Sequence, residues 1–124
     1  MRILIADDNQ FVRRGIAGLL AQQDGLKVCG EAANSAEAIN KASELLPDLV
    51  LLDINMPGGN GLETSRVLKQ KVPQTKILIV TQHDPNQMLP CALEVGAMGC
   101  VDKARLGLDL VAAIRAVQDA PAPK

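Results

Sequence analysis

The chain has 124 residues, with 13 basic against 14 acidic side chains and a formal net charge of −1. That length suits one domain and excludes a second full one, and the balanced charge excludes a nucleic-acid surface built on excess Lys and Arg. Apolar residues make up 48% of the chain, yet there is one Phe and no Trp or Tyr. The core is therefore aliphatic, and no base-stacking platform is available. Cys29, Cys91 and Cys100 are an odd number with no C-x-x-C among them. They read as free thiols in a reducing cytoplasm, not as a disulfide framework or zinc site. The opening apolar stretch, residues 1–6, is too short for a signal-peptide core, and no apolar run approaches the roughly 20 residues of a membrane span. A soluble, cytoplasmic protein without membrane contact is expected.

In chain order, Ile3-Leu4-Ile5-Ala6 is a short apolar run of the kind that forms a strand buried on both faces. Phe11, Ile16, Leu19 and Leu20 then share a helical stripe closed by Gly25. Residues 26–32 form a weaker strand candidate. Asn34 with Glu37 three residues on resembles a capping pair; it opens a helix whose stripe is Ala38, Ile39, Ala42, Leu45 and Leu46, ended by Pro47. Leu49-Val50-Leu51-Leu52 is the third strand. A third helix closes at Pro73, and Ile77-Leu78-Ile79-Val80 is the fourth strand. The fourth helix, about residues 85–95 and closed by Gly96, is the poorest. Pro90 inside it removes a backbone donor, so a kink or a late start is expected. Residues 99–102 make a short fifth strand, and Leu108, Val111, Ala112, Ile114 and Ala116 mark a fifth helix.

Five strands alternating with five helices imply an α/β domain, a doubly wound parallel sheet with helices on both faces. The domain is expected over residues 1–118. The tail Asp119-Ala120-Pro121-Ala122-Pro123-Lys124 reads as an extended linker over 119–124, leading to an output domain absent here.

Ligands of an open parallel sheet bind outside the carboxyl ends of its strands. Here those ends carry Asp7-Asp8, Asp53, Thr81 and Lys103. Each has an ordinary reading: Asp8 or Asn9 as a helix cap, Asp53 as a turn former, Thr81 as a strand or turn hydroxyl, Lys103 as a solvated charge. Together they say more. Three clustered carboxylates raise one another's pKa values unless a cation sits among them, and a hard ion such as Mg²⁺ suits an oxygen site with few carboxylates.

Other chemistry finds no motif. There is no phosphate loop, no G-x-G-x-x-G and no nucleophile elbow, and a single histidine, His83, with no suitable Ser excludes hydrolytic triads. What remains is a carboxylate nucleophile beside a metal. An aspartate can hold a phosphoryl group as an acyl phosphate, and the transfer needs only in-line positioning and charge stabilisation of the equatorial oxygens. Mg²⁺ on Asp8 and Asp53, the Lys103 ammonium and the Thr81 hydroxyl would supply one contact each.

Asp7-Asp8, the run Val50-Leu51-Leu52-Asp53-Ile54-Asn55-Met56-Pro57-Gly58-Gly59-Asn60-Gly61-Leu62-Glu63, Thr81, and Gly96-Ala97-Met98-Gly99-Cys100-Val101-Asp102-Lys103 together resemble the receiver domain of two-component response regulators. The resemblance spans about residues 2–118 and looks most like the NarL/FixJ subgroup. It implies a flavodoxin-like (CheY-like) sheet of order 2-1-3-4-5 with five helices. It implies Asp53 as phosphoacceptor for a sensor histidine kinase. Mg²⁺ (or Mn²⁺) would be held by Asp8, Asp53 and the Asn55 backbone carbonyl, with Asp7 acting through water. Thr81 and Lys103 would bind the phosphoryl group and switch. Output would pass to a C-terminal DNA-binding domain or a partner protein, with homodimerisation on phosphorylation, while these residues themselves bind no nucleic acid.

The family's pattern is not matched everywhere. Gln82 stands where a small residue is usual, Cys100 where Tyr or Phe is usual, and Asp102 where an apolar residue is usual. Asn55 and His83 occupy positions at which receivers tune access of water. Two alternatives remain open: a degenerate receiver that acts by phosphorylation-independent protein binding, and a small Mg²⁺-dependent phosphohydrolase with an aspartyl-phosphate.

Overall fold

The computed structural model describes residues 1–57, 60–82 and 84–121, with the backbone alone at Pro85. The expectations for His83, for Gly58 and Gly59, and for the last three residues of the tail fall outside the described residues. The elements run β1 (Arg2–Ala6), α1 (Gln10–Ala21), β2 (Lys27–Ala32), α2 (Ser35–Leu45), β3 (Leu49–Asp53), α3 (Gly61–Lys71), β4 (Lys76–Thr81), α4 (Pro85–Glu94), β5 (Gly99–Asp102), a 3-10 turn (Lys103–Arg105) and α5 (Leu106–Asp119). Five parallel strands lie in the order β2-β1-β3-β4-β5, as the resemblance implies. The weak second strand is real but begins at Lys27, and α5 runs one residue beyond the expected boundary at 118.

Strand alternation divides the core into two layers. Ile3, Ile5, Leu49, Leu51, Leu78, Val80 and Val101 face Ile16 and Leu20 of α1 and Leu110, Ile114 and Val117 of α5. Leu4, Ala6, Val50, Leu52, Ile77 and Ile79 face Ala38 and Ala42 of α2, Leu68 of α3 and Ala92 of α4. Because both faces are covered, β3 is buried at every position, Asp53 included. A continuous apolar run is what that burial requires.

Helical phase corrects three of the expected stripes. Phe11 is 79% exposed; five residues before Ile16, it sits about 140° round the helix from that buried position. In α5 the buried stripe is Leu110, Ile114 and Val117, while Leu108 faces outward and Ala112 and Ala116 are exposed. Apolar residues fill so much of 106–117 that several phases fit the pattern. Leu46, expected on the α2 stripe, is instead the C-cap of α2, in the left-handed region with φ 47°. Asn34 accepts the Glu37 amide, and Glu37 in turn accepts the Ala33 N–H, a reciprocal cap shifted by one residue. The late start expected for α4 does not occur: Pro85 opens it at a position that needs no donor, Asp84 accepts the Asn86 N–H, and the helix continues through Pro90.

Asn9, Asn60 and Asp84 begin α1, α3 and α4 immediately after the loops that leave β1, β3 and β4. Each cap contributes about 1 kcal/mol and fixes where its loop ends. Gly61 closes the loop after Asp53: its N–H donates to the Ile54 carbonyl at 3.2 Å, and an added Cβ would lie 2.2 Å from Ile54 Cα. Two outcomes are expected in urea unfolding. Gly61→Ala loses about 3 kcal/mol or more, through overpacking against a backbone that cannot yield. Leu46→Gly gains about 0.5–1 kcal/mol, because it relieves a left-handed non-glycine whose side chain is 64% exposed.

Candidate functional site

Parallel register carries the chemistry-bearing residues to one edge. Ala6 pairs with Leu52, so the residues that follow, Asp7 and Asp53, emerge side by side. Asp53 pairs with Val80, and Thr81 pairs with Asp102, the residue before Lys103. Crossovers leave β1 toward β2 on one side while β3 lies on the other. The carboxylates of β1 and β3 therefore stand at the point where the winding direction reverses, the usual crevice of such sheets.

Ligand oxygens of Asp7, Asp8 and Asp53 all lie within 4.8 Å of one another. Asp7 and Asp53 are each 1% exposed, whereas Asp8 is open to solvent. Asn9, not Asp8, caps α1, accepting from the N–H groups of Phe11 and Val12. That frees the Asp8 carboxylate from the capping role open to it in the sequence. Asp53 does form the turn its neighbours suggest: its Oδ1 accepts the Asn55 N–H at 3.0 Å. Asp7 makes the same turn with the Asn9 N–H at 2.8 Å.

Lys103 is not a solvated charge. Its side chain is 13% exposed, and its Nζ lies 3.1 Å from Asp53 Oδ2 and 2.9 Å from Asp7 Oδ2. One ammonium thus offsets two buried carboxylates, and the second of these contacts, to Asp7, carries no sequence signature. Asp7 Oδ2 has the Lys103 ammonium at 2.9 Å as its partner, and no other donor among the described residues reaches this buried oxygen. Three carboxylates that share one ammonium, their oxygens within 4.8 Å of one another, are a hard-oxygen set that fits a divalent cation.

Electrostatics express the same imbalance. Burial raises the Asp7 pKa and the Asp53 charge adds to it; the Asn9 N–H and Lys103 oppose the rise without cancelling it. Burial works against the Lys103 ammonium, but the bonds and charges of Asp7 and Asp53 outweigh it and raise its pKa.

The remaining expected residues are spread around this centre. Thr81 is fully buried at the end of β4. Asn55 is exposed on the loop after Asp53, and Gln82 is exposed after Thr81. Gln82 joins Asn9, Val12, Asp102, Lys103 and Ala104 in lining a cleft of about 380 Å³ that opens onto Lys103. Asp102 caps the 3-10 turn by accepting the Ala104 N–H, which explains an acid where an apolar residue was expected. Cys100 packs half-buried on the α2–α3–α4 layer, away from the carboxylates. Burial, with Cys91 adding, raises its thiol pKa, so it stays a protonated, unreactive thiol.

A folded pKa above the unfolded one means that the folded chain binds the Asp7 proton more tightly. Its stability contribution is then present at low pH and lost as pH rises from the unfolded value of 3.8 through the raised folded value. In EDTA at neutral pH, Asp7→Asn should therefore raise the thermal midpoint, by about 3–5 °C for each kcal/mol of relieved cost. The gain should vanish below about pH 4, where the carboxyl is protonated in both states. A lowered midpoint at neutral pH would show that the Lys103 pair outweighs the burial cost.

Comparison with known proteins agrees with this geometry. The family model described as response regulator receiver domain matches residues 3–115. Over 117 residues, 94% of this chain, the sequence is 41% identical to the response regulator GacA of Pseudomonas viridiflava and 35% identical to the DNA-binding transcriptional activator DevR/DosR of Mycobacterium tuberculosis, covering 55% and 54% of those proteins. The chain spans about half the length of the curated relatives it matches. Among solved structures, it superposes at a TM-score of 0.90 and 36% identity on a LuxR-family two-component response regulator from Aurantimonas sp. SI85-9A1, covering 98% of this chain and 86% of that one. The response regulator domain of Thermotoga maritima CheB matches at 0.87 and 27% identity, covering 97% of each. No helix among the described residues is long and apolar enough to cross a membrane. The match of the receiver-domain model to residues 3–115, on a five-stranded sheet of order 2-1-3-4-5, shows that this chain belongs to the response regulator receiver domain family.

Proposed function

We propose that this domain is switched by transfer of a phosphoryl group to the carboxylate of Asp53. The observation that carries the reading is the convergence on Asp53 of Lys103 Nζ at 3.1 Å and of the Asp7 and Asp8 carboxylates within 4.8 Å. Nucleophile, cationic anchor and metal-binding oxygens are then held together by the sheet itself. The donor is the phosphohistidine of a sensor kinase. Its P–N bond breaks as an Asp53 carboxylate oxygen bonds to phosphorus, and the P–N electron pair returns to the ring, which leaves as neutral imidazole with the proton already on its other nitrogen.

Asp8 and Asp53, with the Asn55 carbonyl and with Asp7 acting through water, would hold Mg²⁺. When bound, the ion would offset the carboxylate charge and polarise a phosphoryl oxygen. This chain's residues do the rest. Lys103, already beside Asp53, anchors a second phosphoryl oxygen with its ammonium. Thr81 ends β4 with its hydroxyl in the same row of strand ends and takes a third. The Asn55 N–H holds Asp53 Oδ1 at 3.0 Å, which fixes the carboxylate plane for in-line attack. Gln82 borders the cleft over Lys103 and narrows the approach of donor and of hydrolytic water.

Output passes to a further domain that controls transcription, a reading supported by relatives named as a transcriptional regulatory protein and a DNA-binding transcriptional activator. Here Cys100 shapes the signal. An aromatic ring buries about 150–250 Å², so moving one between two sites remodels a face; a cysteine moves little surface. The loop after Thr81 and α4 carry the change instead.

Intact mass after incubation with Mg²⁺ and acetyl phosphate should rise by one phosphoryl group. EDTA, or Asp53→Asn, should abolish the gain. A gain that survives Asp53→Asn moves the acceptor to another residue. Amide exchange with and without beryllofluoride should change mainly over residues 82–94 in the parent, while Cys100→Tyr should extend the change along β5. Changes across β5 that are already large in the parent, with nothing added by Cys100→Tyr, would contradict the role given to Cys100.

A further inference from the structure

A polar cleft of about 530 Å³ lies against α1, the end of β2 and α2. Arg13 of α1 lines it, yet its side chain is only 16% exposed. Its Nη1 donates to the backbone carbonyl of Asp7 at 2.7 Å, and its Nε donates to the Glu31 carboxylate at 2.9 Å. The Asp7 N–H donates to the carbonyl of Ala32, the residue after Glu31. Both backbone polar groups of Asp7 are therefore tied to the β2 edge, one directly and one through the guanidinium.

That second tie has a particular consequence. The Asp7 carbonyl belongs to the peptide group that joins Asp7 to Asp8, and a peptide group is planar. Fixing its oxygen fixes the orientation of the plane, and with it the position of the Asp8 Cα and the N–Cα axis from which its side chain departs. Asp8 is the exposed member of the carboxylate cluster, so it gains least from packing. A guanidinium suits the task because its donors sit in a rigid fork, one arm for the carbonyl and one for the anchoring acid. Lys41 of α2 donates to the Glu31 carbonyl and holds that anchor from the far side. Arg14 lines the same cleft but is exposed, which makes it the control position.

We propose that Arg13 is a positioning residue for the carboxylate cluster: by holding the Asp7–Asp8 peptide against Glu31, it sets Asp8 and Asp7 for a divalent cation. The inference rests on the receiver-site reading above. Partners that orient metal ligands typically cost 10–100-fold in affinity when removed.

Calorimetric titration with Mg²⁺ of the parent, Arg13→Gln, Glu31→Ala and Arg14→Gln tests it, alongside the rate of phosphorylation by acetyl phosphate as a function of Mg²⁺. Arg13→Gln should weaken Mg²⁺ binding about 10-fold, Glu31→Ala less but in the same direction, and Arg14→Gln not at all. The phosphorylation rate of both weakened variants should recover at saturating Mg²⁺, because Asp53 and Lys103 are untouched. Glu31→Ala alters a half-exposed side chain and carries the test if Arg13→Gln does not fold. Equal Mg²⁺ affinity in all four proteins, with only thermal stability lowered, would make Arg13 a structural strut and overturn the inference alone. A parent that binds no Mg²⁺ would overturn the receiver-site reading first and the inference with it.

Discussion

A single ammonium held between two buried carboxylates is the contact on which the carboxyl edge of this sheet depends. Lys103 reaches Asp7 and Asp53 at 2.9 and 3.1 Å, and Asp8 adds a third negative charge within 4.8 Å. At an effective dielectric of about 20, unit charges 4 Å apart interact by about 4 kcal/mol, so neither the attraction nor the repulsion is small. Two attractions to one lysine do not balance three mutually repelling acids. The raised Asp7 pKa, set first by burial and then by the Asp53 charge, reflects that remainder. A site left short of positive charge is one that a cation suits.

The fold pays that cost through depth elsewhere. Asp53 is placed by β3, the middle strand, buried along its length and paired on both sides. Asp7 follows from β1, and Lys103 from the turn after β5, two strands away from Asp53. Their lateral spacing is set by backbone hydrogen bonding, not by loop conformation. Loops enter only at the edge, and each is shut down by a short device: an Asx turn and cap at Asn9, Gly61 against Ile54, and Asp102 beneath the 3-10 turn. Asp7 and Asp53 are therefore held close together by the fold in spite of their repulsion.

Much of this was legible in the residues. Unbroken apolar runs at 3–6, 49–52 and 77–80 announce two-sided burial, and each ends in a polar residue that topology must bring to one edge. What the pattern could not convey was helical phase where apolar residues are dense. The pattern points Leu108 and Phe11 inward because several stripes fit their neighbourhoods, and packing selects another. Contacts through backbone atoms were also illegible. Arg13 reaches the carbonyl of Asp7, and a carbonyl has the same chemistry at every residue. The Lys103–Asp7 pair was hidden for a related reason: both residues were recognisable, but their distance depends on a register that only the assembled sheet defines. Asp102 shows the opposite case, an acid whose local capping role was available from its own spacing to Ala104.

The central claim is that Lys103 and a divalent cation balance the same carboxylates. Unfolding free energy of the parent and of Lys103→Met, each in EDTA and in saturating Mg²⁺, tests it directly. Removing one partner from a buried ion pair costs about 3–5 kcal/mol, and a loss of that size is expected in EDTA. Mg²⁺ should restore most of it, because the ion neutralises the acids that the lysine left behind. An equal loss in EDTA and in Mg²⁺ would mean that lysine and metal act on different charges, and would contradict the account.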